Sequence, residues 1–87
     1  MQQPIEPSWF KGRQCKAEPA GDHTLKLTGP NLGDAYISVR QADNRLWQAA
    51  LRLAPDGADV AATEPEIVAE QDAWEAAFEL YRTHVIV

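Results

Sequence analysis

The chain has 87 residues, a hydrophobic content of 45% and a formal net charge of -5, which excludes a wholly disordered chain and two separate domains. We expect one domain over residues 1–87, with residues 1–8 frayed. The single cysteine, Cys15, excludes an internal disulfide and suits a reducing cytoplasm, which is where we expect the protein. No apolar run approaches the roughly 20 residues of a membrane helix, so we expect no membrane contact.

The first part of the chain predicts strands. Residues 9–16 are assigned a first strand despite poor alternation, and residues 18–22 a turn. Apolar and polar residues alternate over 23–28, 35–40 and 46–53, which is typical of half-buried strands. The loop over residues 41–45 contains Asp and Asn, which favour turns. A turn at residues 54–57 precedes a short strand predicted over residues 58–62.

The clearest element is an amphipathic helix near the end of the chain. Trp74, Phe78 and Tyr81 recur at helical spacing, which predicts a helix over about residues 70–83. A capping box with a proline in the first turn would start it at residues 63–66. We favour a start near residue 70, because the residue before a proline avoids helical angles.

The apolar ending, residues 83–87, allows two interpretations. We expect it to form a final strand or to tuck into the core, and the alternative is a free tail captured by a partner. As an exposed β-branched edge, it would also permit homodimer pairing.

These elements predict a two-layer α+β sandwich: an antiparallel β-meander of three to five strands packed on one face by a single C-terminal α-helix. The strand over residues 46–53 would turn Trp47, Ala49, Leu51 and Leu53 inward. The residues expected in the core are Leu25, Ile37, Val39, Trp47, Leu51, Trp74, Phe78 and Tyr81.

No motif carries recognisable chemistry. Cys15 could pair with His23 or His84 as nucleophile and base, but no acid is placed in sequence to orient either ring. The histidines and acids match no zinc or calcium spacing, and the glycines lack a phosphate-loop lysine. We therefore expect no enzyme activity, no metal and no cofactor.

Charge divides the chain unevenly. Residues 1–53 carry seven basic and five acidic side chains, a net +2, whereas residues 54–87 carry one basic and eight acidic, a net -7. This segregation points to interaction through charged faces. The candidate contact residues on the outer sheet face and on the helix are Tyr36, Arg40, Gln48, Arg52, Glu70, Asp72, Glu75 and Glu79.

Residues 35–52, with a hairpin and Trp47, and the Ala-rich residues 73–81 resemble known nucleic-acid-binding domains in layout. The similar groups are the plant AP2-type and integrase N-terminal DNA-binding domains and the latter part of double-stranded RNA-binding domains. The resemblance implies nucleic-acid binding by the outer sheet face. Those sheets carry dense Arg and Lys, whereas here Arg40 and Arg52 stand alone and the acidic end opposes phosphate. We expect a protein partner or a homodimer, with weak nucleic-acid binding as the alternative.

Overall fold

The computed structural model describes residues 4 and 6–86; the other residues, which include half of the segment expected to be frayed and the final valine, lie outside it. The five strands form one antiparallel sheet in their order along the chain. Two helices complete the described fold. The elements are α1 (Ser8–Gly12), β1 (Lys16–Pro19), β2 (Thr24–Thr28), β3 (Ala35–Gln41), β4 (Trp47–Arg52), β5 (Ala61–Ala62) and α2 (Glu70–Tyr81).

The meander with one C-terminal helix on its inner face confirms the predicted fold class. Helix α2 packs against β3 and β4, and the alternating side chains of those strands meet it as pairs, such as Ile37 opposite Leu51. Seven of the eight expected core residues are buried; Trp47 is only partly buried. Burial of each large apolar side chain contributes about 1.5–3 kcal/mol.

The predicted first strand over residues 9–16 is wrong, because residues 8–12 form helix α1. Phe10 is fully buried, with its ring 5.2 Å from that of Phe78 and 6.0 Å from that of Tyr81. A helical turn can direct the single large side chain of Phe10 into the core. A strand would instead need apolar residues at every second position to bury one face. Gln14 then takes a positive φ of 60°, which ends the helix as an αL residue.

Two details of the predicted strands also differ. Glu18 and Pro19, assigned to a turn, belong to β1 and pair with β2, so the turn that follows is shorter. Leu53, expected to face inward, is 55% exposed, because β4 ends at Arg52 and the chain turns away before Leu53 can meet α2.

The later of the two helix starts is confirmed. Ala69 has an extended backbone and α2 begins at Glu70. The helix continues into one wide turn, Arg82–Ile86, in which Val85 and Ile86 are partly buried against the core. The described part of the apolar ending therefore tucks in and forms no strand. None of the helices in the described residues is long and apolar enough to cross a membrane.

Candidate functional site

The outer face of the sheet carries a row of long side chains. In the strand register, Lys26 on β2 lies opposite Tyr36 on β3, which lies opposite Arg52 on β4. Tyr36 and Arg52 are both half-buried. Directly opposite residues lie about 4.5–5.5 Å apart at their Cβ atoms, so Tyr36 has a basic neighbour on each side.

Two of the expected contact residues on this face are engaged within the molecule. Arg40 donates from Nε to Gln48 Oε1 at 2.9 Å and from Nη2 to Asp59 Oδ2 at 3.0 Å. Gln48 donates in turn from Nε2 to the Thr63 carbonyl at 2.7 Å. Because β4 lies between β3 and β5, these bonds cross β4 and hold residues 59–63 against the sheet. Residues 59–63 therefore cover this part of the sheet, which explains why Ala50 is fully buried on the outer face.

The end of the sheet where β4 finishes presents a mixed apolar and basic surface. Leu53 is 55% exposed and Val60 is 53% exposed. Val60 donates its backbone N–H to the Leu51 carbonyl at 2.8 Å, so it lies beside the end of β4. Together with the cross-strand pair described above, these residues define the sheet-end patch: Tyr36, Arg52, Leu53 and Val60.

The four helix acids do not share one face. Glu70, in the first turn of α2, accepts a hydrogen bond from Trp74 Nε1 at 3.2 Å and lies 4.0 Å from His23 Nε2. Asp72, Glu75 and Glu79 are exposed, and Glu79 pairs with Arg82 at 2.9 Å. The acidic surface is therefore smaller than the sequence indicates, because Glu70 lies against Trp74 and near His23 at one end of the sheet.

His23 lies beside a shallow cleft at the opposite end of the sheet. Its Nδ1 lies 3.0 Å from Asp22 Oδ1, and its ring centroid is 6.0 Å from that of Trp47. The cleft has a volume of about 300 Å³ and is also lined by Val39, Arg40 and Gln41. It is open to solvent, and most of its polar side chains already have hydrogen-bond partners, so it offers little to orient a substrate.

The thiol of Cys15 is buried in the core, apart from His23. Cys15 precedes β1 at its start, whereas His23 precedes β2 beyond the turn that follows β1, so about 13 Å of strand separates them at 3.3 Å per residue. His84 bonds locally, with its Nδ1 2.9 Å from the Leu80 carbonyl oxygen. The structure therefore does not bring the Cys15 thiol together with the His23 ring as nucleophile and base.

Cys15 lies instead beside Gly29 and Tyr81. A Cβ atom on Gly29 would lie 3.0 Å from Cys15 Sγ, 2.9 Å from Leu32 Cδ1 and 3.6 Å from the Tyr81 hydroxyl. The Tyr81 side chain is fully buried, and its hydroxyl has no hydrogen-bond partner among the described residues. Burial, with the adjoining Cys15 thiol, raises the pKa of Tyr81 to about 12. A side chain added at Gly29 would therefore meet atoms of the core.

Among residues 4 and 6–86, no three His, Cys, Asp or Glu side chains lie together so that they could hold a metal ion. No protein-family model, curated protein or solved structure matches this chain.

The sequence interpretation missed Leu53 and Val60. One signal for Leu53 was available: the turn at residues 54–57 follows it at once, and the last residue of a strand next to a turn is often exposed. Val60 carries no such signal, because its position depends on where β5 begins.

Proposed function

We propose that this chain is a small non-enzymatic domain that acts by protein contact, and that the contact is made by the sheet-end patch. The observation that carries the proposal is the exposure of two aliphatic side chains, 55% for Leu53 and 53% for Val60, beside a tyrosine and an arginine. Tyrosine and arginine are the residue types enriched at the energetic centres of protein interfaces. The helix acids are a weaker candidate, because two of them have partners inside the molecule.

The separation of the reactive groups supports a role without catalysis. The Cys15 thiol lies in the core, and His23 is paired with Asp22 at another end of the sheet. A nucleophile and its base need hydrogen-bond contact to work together. The free thiol also supports a reducing, cytoplasmic location for the contact.

The alternative of nucleic-acid binding has less support. On the outer face, Lys26 lies 3.5 Å from Asp34 and Arg40 lies 3.0 Å from Asp59. Among the described residues, this leaves Lys16 and Arg52 as the basic strand residues of that face without a carboxylate within 4.0 Å. Each pair neutralises a charge that a phosphate would need, and phosphate affinity depends on the number of free basic side chains. Aliphatic side chains at the patch add nothing to phosphate binding.

Quantitative affinity capture tests the proposed function. The bait proteins are the wild type, a Leu53→Ser/Val60→Ser double variant and a Val68→Ser control, since Val68 is 79% exposed and outside the patch. Surface substitutions of this kind change stability by about 0.5 kcal/mol or less, and circular dichroism checks the fold. We expect a partner that the wild type and the control capture and the double variant loses. Equal capture by all three baits would overturn the proposal.

A further inference from the structure

Arg52 differs from Lys26 and Arg40, the other basic side chains on the outer face of β2 and β3. Lys26 and Arg40 each have a carboxylate within 4.0 Å. Among the described residues, no carboxylate comes within that distance of the Arg52 guanidinium, and its Nε is buried without a hydrogen-bond acceptor. The buried Nε is out of a partner's reach, but the terminal nitrogens are neither buried nor hydrogen-bonded among the described residues, and a charge-assisted bond to them is among the strong polar contacts. Among the basic side chains of β2, β3 and β4 on this face, Arg52 is the one whose charge is left for a partner.

The apolar side chains beside Arg52 restrict what that partner can be. Leu53 follows Arg52 in the chain, and Val60 lies across from the end of β4; both are more than half exposed. A partner that covers them removes apolar surface from water, which stabilises a complex in proportion to the area buried. The partner must therefore present aliphatic groups next to its negative charge.

We propose that the sheet-end patch binds an acidic peptide segment in which a carboxylate pairs with Arg52 and a neighbouring aliphatic side chain packs on Leu53 and Val60. This inference rests on the proposed function and names the chemistry of its partner. Tyr36, opposite Arg52 in the register, bounds the carboxylate position on the β3 side. A nucleic acid would satisfy the guanidinium and leave the aliphatic side chains uncovered. A second copy of the chain would cover them through self-association.

Nuclear magnetic resonance titration of the ¹⁵N-labelled full chain tests this inference. The probes are a capped peptide of alternating Leu and Glu, the same peptide with Gln in place of Glu, and a short oligothymidylate. We expect the acidic peptide to shift the backbone amides of Tyr36, Arg52, Leu53 and Val60. Since the bond to Arg52 is charge-assisted, the Gln peptide should bind about tenfold more weakly, and added salt should weaken only the acidic peptide.

Variants separate the charge from the apolar contact. Arg52→Gln should weaken the acidic peptide by about tenfold and leave the Gln peptide unchanged, whereas Arg45→Gln, on an exposed loop residue, is the matched control and should change neither. Equal binding of the two peptides, shifts outside the patch, or no shifts at millimolar peptide would overturn the inference. So would tighter binding of the oligothymidylate at the patch, or a dimer in sedimentation experiments that the Leu53→Ser/Val60→Ser variant abolishes.

The two proposals fail separately. If capture of a cellular partner depends on the patch while the acidic and Gln peptides bind equally, protein contact stands and the acidic specificity falls. If capture is independent of the patch, the proposed function falls, whatever the peptides do.

Discussion

Replacing Tyr81 with Phe removes one oxygen atom from the interior of the core. The Tyr81 side chain is fully buried, and its hydroxyl has no hydrogen-bond partner among the described residues; the nearby Cys15 thiol is a weak hydrogen-bonding group. An unsatisfied buried hydroxyl costs about 1–3 kcal/mol. The phenyl ring of the variant keeps the edge contact with Phe10, whose centroid is 6.0 Å away.

We therefore expect Tyr81→Phe to raise the free energy of unfolding by about 1 kcal/mol, or the Tm by about 4–8 °C for a domain of this size. The difference should grow in alkali. The pKa of Tyr81 is raised from 10.0 to about 12 in the folded chain. The contribution of this protonation difference to the free energy of unfolding is fully present below pH 10 and is lost as pH rises through about 12. In that range the unfolded chain releases the phenol proton that the folded chain still holds, so unfolding becomes easier. The Phe variant has no such loss.

Urea unfolding measured by tryptophan fluorescence provides the assay, because Trp74 is only 3% exposed and reports on the core. The wild type and the variant are compared at neutral pH and at about pH 11, within the range that the raised pKa defines. Tyr36→Phe is the matched control: Tyr36 is half-buried on the outer face, and its substitution should change stability by about 0.5 kcal/mol or less. A Tyr81→Phe variant less stable than the wild type at neutral pH would show that the buried hydroxyl does not destabilise the fold. A difference that does not widen in alkali would show that the pKa of Tyr81 is not raised in the folded chain.

Two further predictions concern packing and the outer face. Gly29→Ala should lower the free energy of unfolding by about 1–3 kcal/mol, because the added Cβ meets a core side chain at 3.0 Å. Gly12→Ala is the control and should not lower it, because nothing lies within 4 Å of its added Cβ. Equal urea midpoints for the two variants would contradict this prediction. Arg40→Ala removes a partly exposed ion pair with Asp59, so it should cost about 1 kcal/mol or less. It should nevertheless speed hydrogen exchange at the Val60 amide, and unchanged exchange there would show that the pair does not hold this segment.

The strands of the sheet could be predicted because their alternation depends on local sequence. Leu25 and Leu27, or Ile37 and Val39, lie on one face whatever the neighbouring strand is, since successive side chains of a strand point to opposite faces. The start of α2 could be predicted only in part. Pro65 keeps Glu64 out of helical angles, which predicts a start later than residue 64, and the helix begins at Glu70. The extended segment before it also depends on a tertiary contact, since Ile67 pairs with Trp47 of β4.

Helix α1 could not be predicted in this way. Its five residues are too few for a helical pattern, and isolated helices shorter than about 12–15 residues are marginal in water. The segment is helical because Phe10 packs against Phe78 and Tyr81, which lie more than sixty residues further along the chain. A local pattern contains no information about that contact.

The candidate site divides in the same way. Alternation along the strands predicts that Tyr36, Arg40, Gln48 and Arg52 share the outer face, as the strand register shows, because alternation alone fixes which face a strand residue occupies. Which of these side chains are available to a partner depends on contacts between distant parts of the chain. The pairing of Arg40 with Asp59 and the contact of Glu70 with Trp74 depend on how the chain turns after each strand and where the helix rests. Those turns also leave Leu53 and Val60 exposed, since exposure depends on what the rest of the chain covers.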